Sequence, residues 1–345
     1  MSYSIGQILP NDSLGQCQLE RLLREEGILK DRNLDYSCGM FNDGELIATG
    51  SCFGNTLRCL AVSSDYRGEG LMAGIASHLI EYEFNRGFSH LFVYTKPDAA
   101  PLFESLGFST IATIPGKVVF LENTRNGFYS FCRALAPADM NCRLTQAAIV
   151  MNANPFTLGH RYLVEKAASE NDLVHIFVLS EDKSVFPSKE RYKMVAEGCS
   201  DLKNVIIHET GDYLISNATF PGYFFKEDLD VIKAHAGLDG AVFSRIAHAA
   251  GISRRYVGTE HASETTSIYN SVLSEILPNA GIELIIVPRL EISGETVSAS
   301  SVRKLIHDGK INVVRNYVPD STWNFLNSEI GMNVIRQIQS TSYKK

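Results

Sequence analysis

After about residue 145 the chain alternates short, largely apolar strand candidates with helical stretches. QAAIVMN runs into LGHRYLVEKAAS and DLVHIFVLS into SKERYKMVAEG, while NVIIHE, GAVF, RYVG and IELIIV read as further short strands. Strands with no polar face are buried on both sides, as in a parallel sheet covered by crossover helices. The residues before 124 follow a different pattern. YSCGMFN and ELIATGSCF flank Asn42-Asp43-Gly44, a hairpin signal, and TLRCLAV comes next. A helix is predicted from Leu71 to Arg86, with Leu71, Ile75, Leu79 and Tyr82 on one stripe, then a strand HLFVYT and a short helix closing at Gly107. Antiparallel strands interrupted by helices predict an α+β domain. The expected fold is therefore α/β overall, with an α+β domain over 1–140 and a Rossmann-like parallel α/β domain over 141–345. Two domains also suit the length, at about 100–200 residues per domain.

The charge balance, 32 basic against 39 acidic residues, argues against a broad basic face for nucleic acid and still permits a local cationic pocket. No apolar run reaches the ~18 residues of a membrane-spanning helix, and MSYSIGQILPND lacks the basic start and apolar core of a signal peptide. The seven cysteines are scattered and form no C-x-x-C, a pattern of buried thiols in a reducing compartment, with neither a disulfide framework nor a structural zinc site. The expectation is a cytoplasmic protein without nucleic-acid or membrane partners.

Chemistry is most legible in IVMNANPFTLGHRYLVEKAA, residues 149–168. A buried strand ends near Asn152, Asn154-Pro155 forces a turn, and a helix begins near Leu158. Its unpaired amides and positive dipole end face the carboxyl edge of the sheet, where α/β proteins bind ligands. Thr157 is expected to cap this helix or donate to a phosphate, Gly159 to leave room for a nucleotide, and His160 to project a ring nitrogen to the same place. TVSASSVRKLI, residues 296–306, offers a second anion cradle: Ser298, Ser300 and Ser301 precede a helix that carries Arg303 and Lys304. The bland alternative is two capped helices with solvated side chains.

Thr157-Leu158-Gly159-His160 and the segment from Val297 to Arg303 resemble the (H/T)-x-G-H and I-S-S-T-x-x-R motifs of the nucleotidyltransferase superfamily. Val297 stands for the isoleucine, Ala299 for the second motif residue, and Ser300 and Ser301 at the S/T positions. NPFTLGHRYLVEKAA, SEDKSVFPSKERYKMV, YVGTE and Tyr269-Asn270 narrow the resemblance to the citrate lyase ligase family over nearly the whole chain. His261 departs from it, at a place where proline is expected.

That resemblance implies an AMP-forming acid–thiol ligase that uses ATP, with Mg²⁺ bridging its oxygens, to acetylate a thiol through acetyl-adenylate. The thiol belongs to the dephospho-coenzyme-A-derived prosthetic group on the acyl-carrier subunit of citrate lyase, so Cys199 reads as a packing residue. Thr157 and His160 would meet the α-phosphate, and Arg303, Ser298 and Ser300 the β- and γ-phosphates. Lys183 would close over them and Arg191 support them. Asn154, Phe156, Gly159 and Ser301 complete the nucleotide site, and Gly258-Thr259-Glu260 would lie near the ribose or adenine.

In the front domain, LAVSSDYRGEGLMAG with Arg67, Gly68 and Gly70 resembles the coenzyme-A loop of GNAT-type acetyltransferases, and KPDAAPLFESLGF their later helix. Met72 departs from the final Gly/Ala of that loop. No clear general base accompanies it, Tyr94 and Glu104 being the nearest candidates, and docking of the pantetheine arm is the expected role. Three readings compete with acetyl ligation. They are nucleotide transfer to a phosphorylated metabolite, a ligase serving malonate decarboxylase, and a non-catalytic carrier-binding scaffold or protein acetyltransferase with a vestigial pocket.

Overall fold

A computed structural model describes residues 3–136, 144–181, 184–214, 220–223, 225, 227–259 and 264–340. The chain forms two compact units, Met1–Phe131 with Thr219–Ala241, and Cys132–Ala218 with Val242–Lys345. The expected division at 140/141 lies outside the described residues. The excursion of Thr219–Ala241 is not among the sequence-based expectations.

The first unit runs β1 (Ile5–Gln7), α1 (Ser13–Glu25), β2 (Tyr36–Asn42), β3 (Glu45–Phe53), β4 (Thr56–Val62), α2 (Leu71–Asn85), β5 (Phe92–Thr95), α3 (Ala100–Ser105), β6 (Ser109–Ile114) and β7 (Val118–Glu122). A fourth helix, α4 (Gly127–Leu135), follows and crosses the division at Phe131. Its seven strands lie in the order β1-β2-β3-β4-β5-β7-β6. The β2–β3 turn has Asp43 and Gly44 both at positive φ, 49° and 83°, as a two-residue hairpin of this twist requires. Helix α2 buries Leu71, Ile75 and Leu79 against β3. A side chain at Gly50 would meet Ile75 at 2.6 Å and Leu79 at 2.8 Å, so glycine there allows the close approach.

Strands β4 and β5 are parallel and pair only at Thr56–Phe92 and Leu57–Val93, parting beyond. Residues of the excursion cover what the parting exposes. Phe220 sets its edge on Tyr94 of β5, with centroids 5.8 Å apart. Tyr223 is buried among Leu19, Leu23 and Cys59, and its carbonyl accepts the Leu29 amide at 2.6 Å. Its hydroxyl meets the Cys59 backbone amide at the irregular part of β4, where Cys59 has φ 51°.

The second unit holds β8 (Gln146–Met151), α5 (Leu158–Glu170), β9 (Leu173–Val178), α6 (Ser188–Gly198) and β10 (Val205–Glu209). Helix α7 (Asp228–Ala250) crosses the division at Ala241. The chain continues with β11 (Arg254–Gly258), α8 (Glu264–Asn279), β12 (Glu283–Val287), a small hairpin β13 (Glu291–Ile292) and β14 (Glu295–Thr296), and helices α9 (Ala299–His307), α10 (Ile311–Val314), α11 (Asp320–Leu326) and α12 (Glu329–Ser340). GAVF, expected as a strand, lies inside α7. Four apolar residues fit a buried helical turn as well as a strand, and the alanine-rich flanks extend the helix.

The large sheet is wholly parallel, ordered β10-β9-β8-β11-β12. The order reverses between β8 and β11, the switch point at which open α/β sheets leave a crevice. Here the crevice is visible in the ladder. Strands β8 and β9 pair from Gln146 to Met151, whereas β8 and β11 pair only at Ala147–Arg254 and Ala148–Arg255. Their carboxyl ends therefore diverge, and the segments after Met151 and Gly258 line the gap.

Candidate active site

The segment after β8 turns through Ala153, at φ 49°, and a cis Asn154–Pro155 bond into α5. Thr157 is the N-cap, and a reciprocal capping box forms with His160. The Thr157 side chain accepts the His160 amide at 3.3 Å, and the Thr157 amide donates to His160 Nδ1 at 3.1 Å. A backbone amide can only donate, so Nδ1 is the acceptor and the neutral ring carries its proton on Nε2. Burial, then the charges of Arg289 and Arg303, lower the His160 pKa to about 4. The ring is neutral at physiological pH and offers an N–H donor. Phe156, fully buried, backs it at a centroid distance of 5.9 Å and an angle of 18°.

Helix α9 repeats the device. Ser298 caps it, accepting the Ser301 amide at 3.0 Å, while Ser301 Oγ accepts the Ser298 amide at 3.0 Å. The two helix starts touch. A Cβ on Gly159 would stand 2.5 Å from the Val297 carbonyl oxygen, one residue before the α9 cap. Arg303 ties them further, donating to the Asn154 carbonyl and, at 3.2 Å, to Ser300 Oγ. In the first turn of α5 the Leu158 amide goes to Tyr317 O at 2.9 Å and the His160 amide to its cap. Among the described residues no acceptor is recorded for the Gly159 amide in α5 or for the Ala299 and Ser300 amides in α9. Two helix N-termini, free amides, a neutral histidine and a guanidinium together suit a polyanion such as a nucleotide phosphate chain.

Several expected ligands do other work. Arg191 has no exposed surface, and its donors end on protein oxygens: Nε on Phe186 O at 3.0 Å, Nη1 on Asn152 O, Asn152 Oδ1 and Leu179 O at 2.7 Å each, and Nη2 on Glu181 O. It braces the segments after β8 and β9, each of its three nitrogens meeting a protein oxygen. Gly159 leaves room for the Val297 carbonyl where room for a nucleotide was expected. Asn154 Oδ1 accepts the Phe186 amide at 3.2 Å, and the Ser298 and Ser301 hydroxyls serve their capping box. Gly258 closes β11 at the crevice, its carbonyl accepting from Asn270 at 3.2 Å. Lys183, Glu260 and His261 lie outside the described residues. Cys199 is buried behind α6 and burial pushes its thiol up to about 12, as suits a packing residue. Among the described residues there is no group of three or more His, Cys, Asp or Glu side chains able to hold a metal.

One cation escaped the sequence reasoning. Arg289 follows β12, and its Nε donates to the Thr259 carbonyl at 2.7 Å beside Gly258. A basic residue two positions past a strand's carboxyl end was the available signal.

In the first unit Gly68 and Gly70 have φ of 88° and 76°, and Gly70 caps α2. A Cβ on either would meet nothing within 4 Å, so the backbone stands open. Arg67 is exposed and paired with Glu26. Tyr94 is buried and stacked on Phe120 at 4.3 Å, and Glu104 accepts from Thr110 at 3.0 Å. Among the described residues no helix is long and apolar enough to cross a membrane.

The fold and the paired helix starts define a nucleotidyltransferase-like α/β domain that follows an acetyltransferase-like domain in the sequence. Residues 146–326 match the family described as citrate lyase ligase C-terminal domain, and residues 7–108 the acetyltransferase (GNAT) family. The chain is similar to the [citrate [pro-3S]-lyase] ligase of Klebsiella pneumoniae, 38% identical over 89% of this chain and 91% of that protein. The corresponding ligase of Escherichia coli K12 is 34% identical over 90% of this chain and 89% of that protein. A phosphopantetheine adenylyltransferase of Staphylococcus carnosus is 30% identical over 21% of this chain and 45% of that protein. The chain belongs to the citrate lyase ligase family and is an enzyme of that kind.

Proposed function

We propose that this enzyme activates citrate lyase by acetylating the thiol prosthetic group of its acyl-carrier subunit, using ATP and acetate and releasing AMP and diphosphate. Membership of the ligase family supports the overall reaction. The observation that carries the chemistry is the contact of the two helix starts with a neutral, Nε2-protonated His160 beside them.

Acetate oxygen attacks the α-phosphorus, an O–P bond forms, and the bond to the departing diphosphate breaks with its electron pair. No proton need move, so catalysis is positioning and charge stabilisation. His160 Nε2–H and the Gly159 amide hold the α-phosphate. Arg303, the Ala299 and Ser300 amides and Ser300 Oγ receive charge on the leaving diphosphate. Thr157 fixes the His160 tautomer, and Arg191 and Phe156 hold the site in shape from behind. Mg²⁺ would travel with the ATP oxygens, Lys183 would serve the phosphates, and Glu260 the ribose or adenine. The carrier thiolate then attacks the acetyl carbonyl and AMP leaves. The front unit docks the prosthetic group through the open backbone at Gly68–Gly70, with Arg67 exchanging Glu26 for its diphosphate. We place the functional division of the chain near residue 140 and the reaction in the cytoplasm.

The deciding experiment is acetate-dependent exchange of labelled diphosphate into ATP, without citrate lyase. Exchange that requires acetate establishes the adenylate. Absence of both exchange and AMP release when the thiol carrier is supplied would favour nucleotide transfer to a phosphorylated metabolite.

Gly159→Ala tests the contact between helix starts. Its methyl group must displace the Val297 carbonyl, at a cost of about 1–3 kcal/mol. A shift of about 1 Å in the phosphate cradle is expected to lower exchange on the order of 100-fold. Thermal melting and exchange rates check both, and wild-type values in each would mean the close contact is dispensable.

A further inference from the structure

The segment that follows β12 is fastened on two sides. On one, the Thr259 amide donates to Val287 O at 2.8 Å, the Arg289 amide to Thr259 Oγ1 at 3.3 Å, and Arg289 Nε to Thr259 O at 2.7 Å. On the other, the Val297 amide donates to Leu290 O at 2.9 Å, and Val297 O is the atom against which Gly159 sits. Arg289 is thereby fixed between the end of β11 and the touching starts of α5 and α9. Its stem lies along Gly258, where an added Cβ would be 3.8 Å from both Cγ and Nε. Its charge also acts on the His160 ring, ahead of that of Arg303, and no carboxylate stands among the groups that shift His160. Arg303 is tethered elsewhere, to Asn154 O and Ser300 on the α9 side. The site thus carries two guanidinium groups on different elements, and one diphosphate leaving group accounts for only one of them.

We propose that Arg289 is a further catalytic residue, holding the phosphoryl group that stays with the nucleotide while Arg303 holds the departing diphosphate. The proposal rests on the acyl-adenylate reading above and divides its two halves between the two arginines. In the first half both act: as the acetate O–P bond forms and the P–O bond to diphosphate breaks, Arg289 neutralises the α-phosphoryl oxygens. In the second, thiolate attacks the acetyl carbonyl and the carbonyl C–O bond breaks, its electron pair leaving on AMP. Arg289 stabilises that AMP phosphate, and Arg303 has no leaving group to hold. Arg289 donates hydrogen bonds throughout and transfers no proton.

The test compares R289A, R289K and R303A in two assays. One is acetate-dependent diphosphate exchange; the other is transfer from synthetic acetyl-adenylate to dephospho-coenzyme A as thiol. R289A should slow both by about 10–100-fold, a loss of roughly the size expected for one charged donor. R303A should slow exchange by a much larger factor than it slows transfer. R289K, with the charge kept and the planar fork lost, should fall between wild type and R289A. Loss of the neighbouring charge should raise the His160 pKa in R289A, read by NMR of labelled histidine, which checks that the guanidinium stands beside the ring; the split between the two assays checks its role. Equal rates for R289A and wild type in both assays, or a transfer defect in R303A equal to that in R289A, would overturn the assignment. If the wild type itself shows no exchange, the adenylate reading is what fails. Calorimetry of AMP binding then decides Arg289 separately, with weakening in R289A expected and unchanged affinity excluding the contact.

Discussion

His160→Ala is expected to lower acetate-dependent exchange by about 100–1000-fold, the usual loss when one preorganised donor to a developing charge is removed. The tautomer makes the prediction specific. With Nδ1 committed to the Thr157 amide at 3.1 Å, catalysis depends on Nε2–H. His160→Gln restores an acceptor at the third helical position, as capping boxes commonly use. It should recover the roughly 1 kcal/mol of stability lost in the alanine variant but not most of the rate. Recovery of full rate by glutamine would mean that only the cap matters. The pH dependence follows from the depressed pKa of about 4. The ring is neutral above about pH 5.5, so its contribution to exchange is flat from there to pH 8 and falls as pH drops through 4. Stability has the same sign. The unfolded ring binds its proton near 6.5 and the folded ring near 4, so the unfolded state gains protons between those values and stability falls as pH falls through them. Above 6.5 both states are neutral and nothing is lost. His175, buried between Gln146 and His208 and also lowered to about 4 by burial and then the nearby His208, adds to this acid sensitivity without touching the site. Measuring exchange and urea midpoints from pH 4 to 8 separates them, since His160→Gln should alter the former profile and keep the His175 part of the latter.

The division of legibility has physical causes. Strand–turn–helix from Ile149 to Ala168 was readable because periodicity, Asn154-Pro155 and the Thr157 cap agree locally. The second cradle was readable for the same reason, serine before an amphipathic helix. What residues do across distance was not. Gly159 has the composition of a nucleotide-binding glycine, yet the atom it makes room for belongs to Val297, 138 positions later in the chain. Arg303 was expected to reach phosphate, and sequence alone does not reveal its tether to Asn154 O. GAVF fails differently, because a four-residue apolar run carries no period. The excursion that brings Phe220 and Tyr223 to Tyr94 and Cys59 leaves no local mark, since an aromatic buried by a distant strand looks like any other. It also bears on the front unit, because the face of β5 at Tyr94 is already covered by the chain's own Phe220. On the docking proposed above, the prosthetic group would approach along the open backbone of Gly68–Gly70.

Arg191→Ala is expected to destabilise the second unit by about 3–5 kcal/mol, and activity should fall only because the unit does. The side chain has no exposed surface, and its removal strands the carbonyls of Asn152, Leu179, Glu181 and Phe186 without their donor. Each buried acceptor left unpaired costs about 1–3 kcal/mol, and relaxation or entering water recovers part of the sum. Lysine should not rescue it, because one ammonium cannot reproduce a planar fork whose donors leave in several directions. The alternative role, direct contact with phosphate, predicts a different pattern: a protein of near wild-type stability whose ATP affinity and exchange rate are reduced. Urea unfolding of the full chain, with ATP binding measured on whatever fraction remains folded, distinguishes the two. A loss below about 1 kcal/mol together with a selective loss of ATP affinity would return Arg191 to the phosphate site. A large loss with intact affinity in the folded fraction would fix it as the brace between the segments after β8 and β9. That brace holds Asn152, two residues before the carbonyl that Arg303 grips, so both arginines fasten the same segment after β8 from opposite ends of the chain's second half.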